Sequence, residues 1–108
     1  MLWPPKPSGS LFKSGGAHAC QSGGTGCYDV GVNYQNVPQG NYTVDITRDG
    51  RAIGTSMNVT VGGNGSFTHH NHLGVMTGGE TIAATFRNNA TGETFTIGSM
   101  SGSAWNNL

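Results

Sequence analysis

The chain has 108 residues, room for one modest core, because a domain of this size buries roughly two thirds of the surface that its unfolded chain exposes. Only 9% of the residues are charged, the formal net charge is zero, and the basic residues Lys6, Lys13, Arg48, Arg51 and Arg87 are spread along the chain. No concentrated positive field is therefore offered to a phosphate backbone, so no nucleic-acid partner is expected, and no apolar run approaches the ~20 residues of a spanning helix, so no membrane insertion is expected.

Glycine accounts for 19 residues, with many Thr, Ser and Asn beside it and few good helix formers, a balance that disfavours helices. The start, Met1-Leu2-Trp3-Pro4-Pro5-Lys6-Pro7, has no basic segment, apolar stretch or small-residue cleavage site of a secretory signal. That predicts a mature form or a protein made and assembled in the cytosol. Residues 1–26 read as an N-terminal arm, Pro-rich and extended at first, Gly/Ser-rich and flexible later, and outside the core. Cys20 and Cys27 flank a short loop that a disulfide can close; spacing alone leaves the bonded and the free form open.

From Tyr28 the pattern changes to period two, the signature of half-buried strands. Tyr28, Val30, Val32 and Tyr34 form one apolar stripe; after an expected turn at Val37-Pro38-Gln39-Gly40, Tyr42, Val44 and Ile46 form the next. Asp49-Gly50 predicts a tight hairpin, since both residues tolerate the positive φ of a type I′ turn. Ile53, Thr55, Met57, Val59 and Val61 share a face of the return strand. Gly62-Gly63-Asn64-Gly65 is expected to turn again, ahead of Phe67, a polar strand from Thr68 to His72, and Leu73 and Val75. Beyond the turn Thr77-Gly78-Gly79-Glu80, Ile82, Ala84 and Phe86 alternate inward, and Phe95 and Ile97 follow the loop 88–92. About seven short strands separated by turns predict an all-β, antiparallel sandwich over residues 27–108.

The runs Val59-Thr60-Val61-Gly62-Gly63-Asn64-Gly65-Ser66-Phe67-Thr68, Gly79-Glu80-Thr81-Ile82-Ala83-Ala84-Thr85 and Asn89-Ala90-Thr91-Gly92 resemble the bacterial immunoglobulin-like domains. The resemblance covers roughly residues 41 to 98 and rests on turn motifs, which any hairpin-rich sandwich also selects. It implies an immunoglobulin-like fold and a non-catalytic role of the kind such domains have in adhesins, in accessory modules of extracellular enzymes and in phage surface proteins. The single copy, the arm and the polar stretch Thr68 to His72 depart from the tandem-repeat form and fit a stand-alone assembly protein.

Chemistry is concentrated in His69-His70-Asn71-His72. In an extended strand His70 and His72 share a face and are the weak candidates for metal ligands, with His18, Cys20 or Cys27 available to complete a site; the plainer reading is a polar strand surface, and no metal or other cofactor is assigned. The carboxylates Asp29, Asp45, Asp49, Glu80 and Glu93 fall in turns or on polar strand faces. Gly98-Ser99-Met100-Ser101-Gly102 puts Met100 where a nucleophile elbow needs serine. No catalytic residues are therefore expected. Trp3 and Trp105, with Pro4 and Pro5, are candidate partner contacts, and each tryptophan reads equally well as a cap on the core.

The expected function is a non-catalytic structural module of a virion surface, a capsid decoration or tail accessory protein held to capsid or tail proteins through the arm. The alternative is a secreted or cell-surface bacterial module for carbohydrate binding or adhesion, with surface glycans as partners.

Overall fold

Asp49 and Gly50 both have positive φ, 52° and 82°, the pair of left-handed conformations that a type I′ turn needs. In the computed structural model, which describes residues 6–20 and 23–108, this turn joins β2 (Cys27–Arg48) to β3 (Arg51–Leu73) as a long antiparallel hairpin, with Arg48 opposite Arg51. The hairpin expected at this dipeptide is present.

Its arms run further than the sequence pattern predicts. Val37-Pro38-Gln39-Gly40 and Gly62-Gly63-Asn64-Gly65, both expected to be turns, face each other inside the paired strands. Three steps of β2 from Tyr34 to Val37 answer two of β3 from Gly65 to Gly63, and three more from Val37 to Gly40 answer two from Gly63 to Val61. Such surplus residues are β-bulges, which bend a strand and sharpen its twist while leaving it paired. Asn36 at φ 58° and Gly63 at φ 70° supply the left-handed backbone of the bend. The Asn36 N–H donates to Asn64 Oδ1 at 3.0 Å, and the Tyr42 hydroxyl donates to the Pro38 carbonyl at 2.6 Å.

The bend doubles the hairpin back on itself. Cys27 and Arg48, the two ends of β2, line one groove together with Ile53 and Leu73 from near the two ends of β3. β1 (Ser8–His18) pairs with the first half of β2, β4 (Thr81–Asn88) with its second half, and β5 (Thr94–Ser101) with β4, all antiparallel. The product is a curled antiparallel sheet of five strands in place of about seven short ones. The expected strands at Tyr28 and Tyr42 are merged in β2, and those at Ile53 and Phe67 in β3.

β1 lies inside the segment expected to be an arm. Its Ser- and Gly-rich sequence joins the sheet because the ladder uses backbone groups that every residue but proline carries in full. Leu11 is buried and packs against Gly98 of β5, which closes the curl between the first and last strands. Trp3, Pro4 and Pro5 lie outside the described residues.

The core fills the space between the facing halves. Val30, Val32, Val44, Ile46, Ile82, Ala84 and Phe86 are fully buried, as their alternation predicts. Phe67 on the second half of β3 meets Phe86 on β4 with ring centroids 5.9 Å apart, and Phe86 stacks on Phe95 at 5.0 Å. After β5 a single helical turn, α1 (Gly102–Asn106), is capped by Ser101, whose Oγ accepts from the Ala104 N–H at 3.1 Å. The turn carries Trp105 into the core at 1% exposure, which decides between the two readings of that residue in favour of the cap. Lys13 covers it, its Nζ lying 5.5 Å from the Trp105 ring centroid and 4.9 Å from that of Tyr28. Among the described residues no helix is long and apolar enough to cross a membrane.

Candidate functional site

At the start of β2, Asp29 stands between two neighbouring strands. It pairs with His72 across the ladder to β3, while on the other edge His18 of β1 pairs with Cys27, two residues before Asp29. The three side chains converge. His72 Nε2 lies 2.8 Å and His18 Nε2 3.3 Å from the same oxygen, Asp29 Oδ1, and the imidazoles meet edge to face with centroids 4.0 Å apart. One donor atom from each residue falls within 4.8 Å of the other two.

A disulfide between Cys20 and Cys27, with Cα atoms 5.3 Å apart, clamps this end of the sheet. Both cysteines are consumed by it and are unavailable as metal ligands. The bond brackets the cluster, since Cys20 follows His18 by two residues and Cys27 precedes Asp29 by two.

The cluster is half-buried, with side-chain exposures of 38% for His18, 33% for Asp29 and 26% for His72. Asp29 Oδ1 and His72 Nδ1 are themselves shut off from solvent and have no hydrogen-bond partner among the described residues. The 2.8 Å approach of His72 Nε2 to Asp29 is therefore close but poorly aligned for an N–H···O bond, whose strength falls steeply with angle. An acceptor oxygen and two ring nitrogens crowd together without satisfying one another. A group seated among them with positive charge would engage all three.

The other histidines behave differently. His70 is exposed and lies outside the cluster, so of the two candidates weighed on one strand only His72 joins it, with ligand-type residues from two other strands. His69 is fully buried and structural. Its Nε2 bonds the Val44 carbonyl at 2.8 Å, and its Nδ1 accepts the Asn71 N–H at 3.2 Å, a combination that requires the neutral ring protonated at Nε2. Burial pushes its pKa below the ordinary value, the Val44 hydrogen bond opposing and the neighbouring His70 reinforcing the effect.

Asn71 fills a further bulge. Between Val44 and Ile46 one β2 residue faces the three β3 residues Gly54, Thr55 and Ser56. The Asn71 amide donates to Ile53 O at 2.7 Å and Thr55 O at 3.1 Å, and accepts from the Thr55 N–H at 2.9 Å. Gly54, at φ 65°, touches the Asn71 carbonyl so closely that a Cβ would collide with it. The polar residues of the Thr68 to His72 stretch are thus partly core fittings.

Glu80 closes the turn before β4. Its carboxylate accepts from the Thr77 hydroxyl at 2.7 Å, the Thr77 N–H at 3.0 Å and the Gly78 N–H at 2.6 Å. These bonds, that from the Thr77 hydroxyl first, lower its pKa to about 2. Of the grooves that border the sheet, two bear on the site. One, of about 450 Å³, borders the disulfide and His72 and is rimmed by Val75, which is 87% exposed. The other, of about 420 Å³, is lined by Tyr42 and Phe95 with Asn88, Thr91 and Glu93 around them.

Comparison with protein-family models, with curated proteins and with solved structures finds no match to this chain.

Sequence reasoning missed Asp29 as a partner of the histidines. The signal was the cysteine pair: any bond between Cys20 and Cys27 draws His18 and Asp29 side by side.

Proposed function

We propose that the chain is a non-catalytic binding module of immunoglobulin-like type that works outside the reducing cytosol. The Cys20–Cys27 disulfide carries this reading, because such bonds persist in secreted and surface settings and are rare where glutathione keeps thiols reduced. The incorporation of residues 8–18 into the sheet supports the secreted or cell-surface module over a virion protein docked through a free arm. The part-exposed ring of Phe95, in a groove with Asn88, Thr91 and Glu93, supports a polar ligand with an apolar face, such as a surface glycan, since an aromatic ring stacks on such a face while side-chain oxygens and amides fix orientation.

The second reading, a capsid decoration or tail accessory module, draws on the same rigid, disulfide-closed sheet, because virion surfaces are also oxidising. The test is fractionation of the producing culture into cytosol, cell surface, medium and sedimentable particles, with thiols alkylated before lysis. Disulfide-bonded protein in the medium or on cells supports the preferred reading, and co-sedimentation at fixed stoichiometry with particles supports the second. A reduced cytosolic protein overturns both.

A further inference from the structure

We propose that His18, Asp29 and His72 form a binding site for one divalent transition-metal ion of the zinc type, held at the disulfide-clamped end of the sheet. This goes beyond the binding-module reading and does not depend on it. Two imidazoles and a carboxylate are the donor set that borderline ions such as Zn²⁺ accept, whereas Ca²⁺ and Mg²⁺ demand oxygen ligands.

The geometry is close to what such an ion requires. Tetrahedral coordination with bonds of the usual length sets donor atoms about 3.3 Å apart. His72 Nε2 and His18 Nε2 lie 2.8 and 3.3 Å from Asp29 Oδ1, and all three donor atoms fall within 4.8 Å of one another. Asp29 Oδ1 accepts no hydrogen bond from the described residues although it is shut off from solvent, and a cation among the three groups satisfies it.

The scaffold holds the site in advance. Each ligand comes from a different strand of one continuous ladder, and the disulfide fixes His18 beside Asp29, which reduces the ordering that binding must impose. One carboxylate against a doubly charged ion leaves a net positive centre, and the partial exposure of all three residues leaves a coordination position for water or an external anionic or imidazole group. His72 Nδ1 has no hydrogen-bond partner among the described residues to orient the ring, so affinity falls below that of a structural zinc site with a complete outer shell.

The test is calorimetric titration of the oxidised full chain with ZnCl₂ alone, alongside CaCl₂, repeated with Asp29→Asn, His72→Ala and His70→Ala. The expected result is one Zn²⁺ per chain and no Ca²⁺, with affinity lowered about tenfold or more in Asp29→Asn and His72→Ala and unchanged in His70→Ala. Co²⁺ is expected to give the visible absorption of a low-coordinate nitrogen and oxygen site, lost in Asp29→Asn. Asp29→Asn keeps the shape of the side chain and reads the site if His72→Ala does not fold. Absence of Zn²⁺ binding at millimolar concentration, affinity indifferent to Asp29→Asn, or loss of binding in His70→Ala overturns the proposal.

Discussion

His69 Nε2 lies 2.8 Å from the Val44 carbonyl oxygen, and through that bond the second half of β3 is tied to the second half of β2. The two residues belong to facing parts of the doubled hairpin, so the bond works as a rivet through the core. Asn71 adds three further bonds from the same stretch to Ile53 and Thr55.

The rivet makes folding sensitive to mild acid. His69 has its pKa lowered by burial, so between that value and the unfolded value near ~6.5 the unfolded chain binds more protons. Its contribution is complete above about pH 6.5 and is lost as pH falls through the folded value. His70 and Asp45 are the charged neighbours that bear on it, with opposite signs. Urea denaturation at pH 8 and pH 5 is expected to show a fall in stability for the wild-type protein that is smaller in His69→Gln. An equal fall in both would assign the acid sensitivity to other groups.

Glu80 is expected to stay ionised in the folded protein far into acid, with a titration midpoint of about 2. A carboxyl whose folded pKa lies below its unfolded one stabilises above the unfolded value and loses that contribution as pH falls through the folded one. The window here runs from the ordinary glutamate range down to about pH 2. Carbon-detected NMR titration of the side chain reads the midpoint directly. In Thr77→Val, which removes the hydroxyl that contributes most, the midpoint is expected to rise.

Opening the disulfide is expected to cost roughly 2–3 kcal/mol, the loop-closure entropy for so short a segment. The double variant Cys20→Ser/Cys27→Ser therefore has a lower urea midpoint with the sheet retained by circular dichroism. Hydrogen exchange is expected to speed up around His18 and Asp29 and much less at Val44 and Ile46, which lie in the hydrophobic core. Uniform acceleration would mean that the bond stabilises the whole sheet and not its end.

Trp105→Ala is expected to destabilise the protein by about 3–5 kcal/mol, the usual consequence of deleting a large buried aromatic. In a Trp3→Phe background the emission of Trp105 is expected to be blue-shifted and poorly quenched by iodide, and to move to the red on unfolding. Emission already at long wavelength in the native protein would return Trp105 to the candidate partner contacts.

Parts of this structure follow from short stretches of chain. Asp49-Gly50 makes its turn because two adjacent residues accept positive φ, and Val30, Val32, Val44, Ile46, Ile82, Ala84 and Phe86 point inward because side chains alternate along a strand. Neither outcome needs distant residues to be known.

The strand count and the polar cluster are of another kind. Val37 to Gly40 and Gly62 to Gly65 have turn composition, and only their meeting across the hairpin makes them bulges within two long strands. Ser8 to His18 carries little apolar alternation, and it becomes a strand because β2 offers an unpaired edge. His18, Asp29 and His72 are unremarkable where each stands in the chain. Composition and period-two alternation determined an antiparallel β protein with this core and this hairpin, since those are properties of neighbouring residues; the curl of the sheet, the place of the first strand and the three-residue cluster were decided by tertiary structure, because they arise from backbone pairing between segments remote in sequence, and such pairing leaves no mark in any one of them.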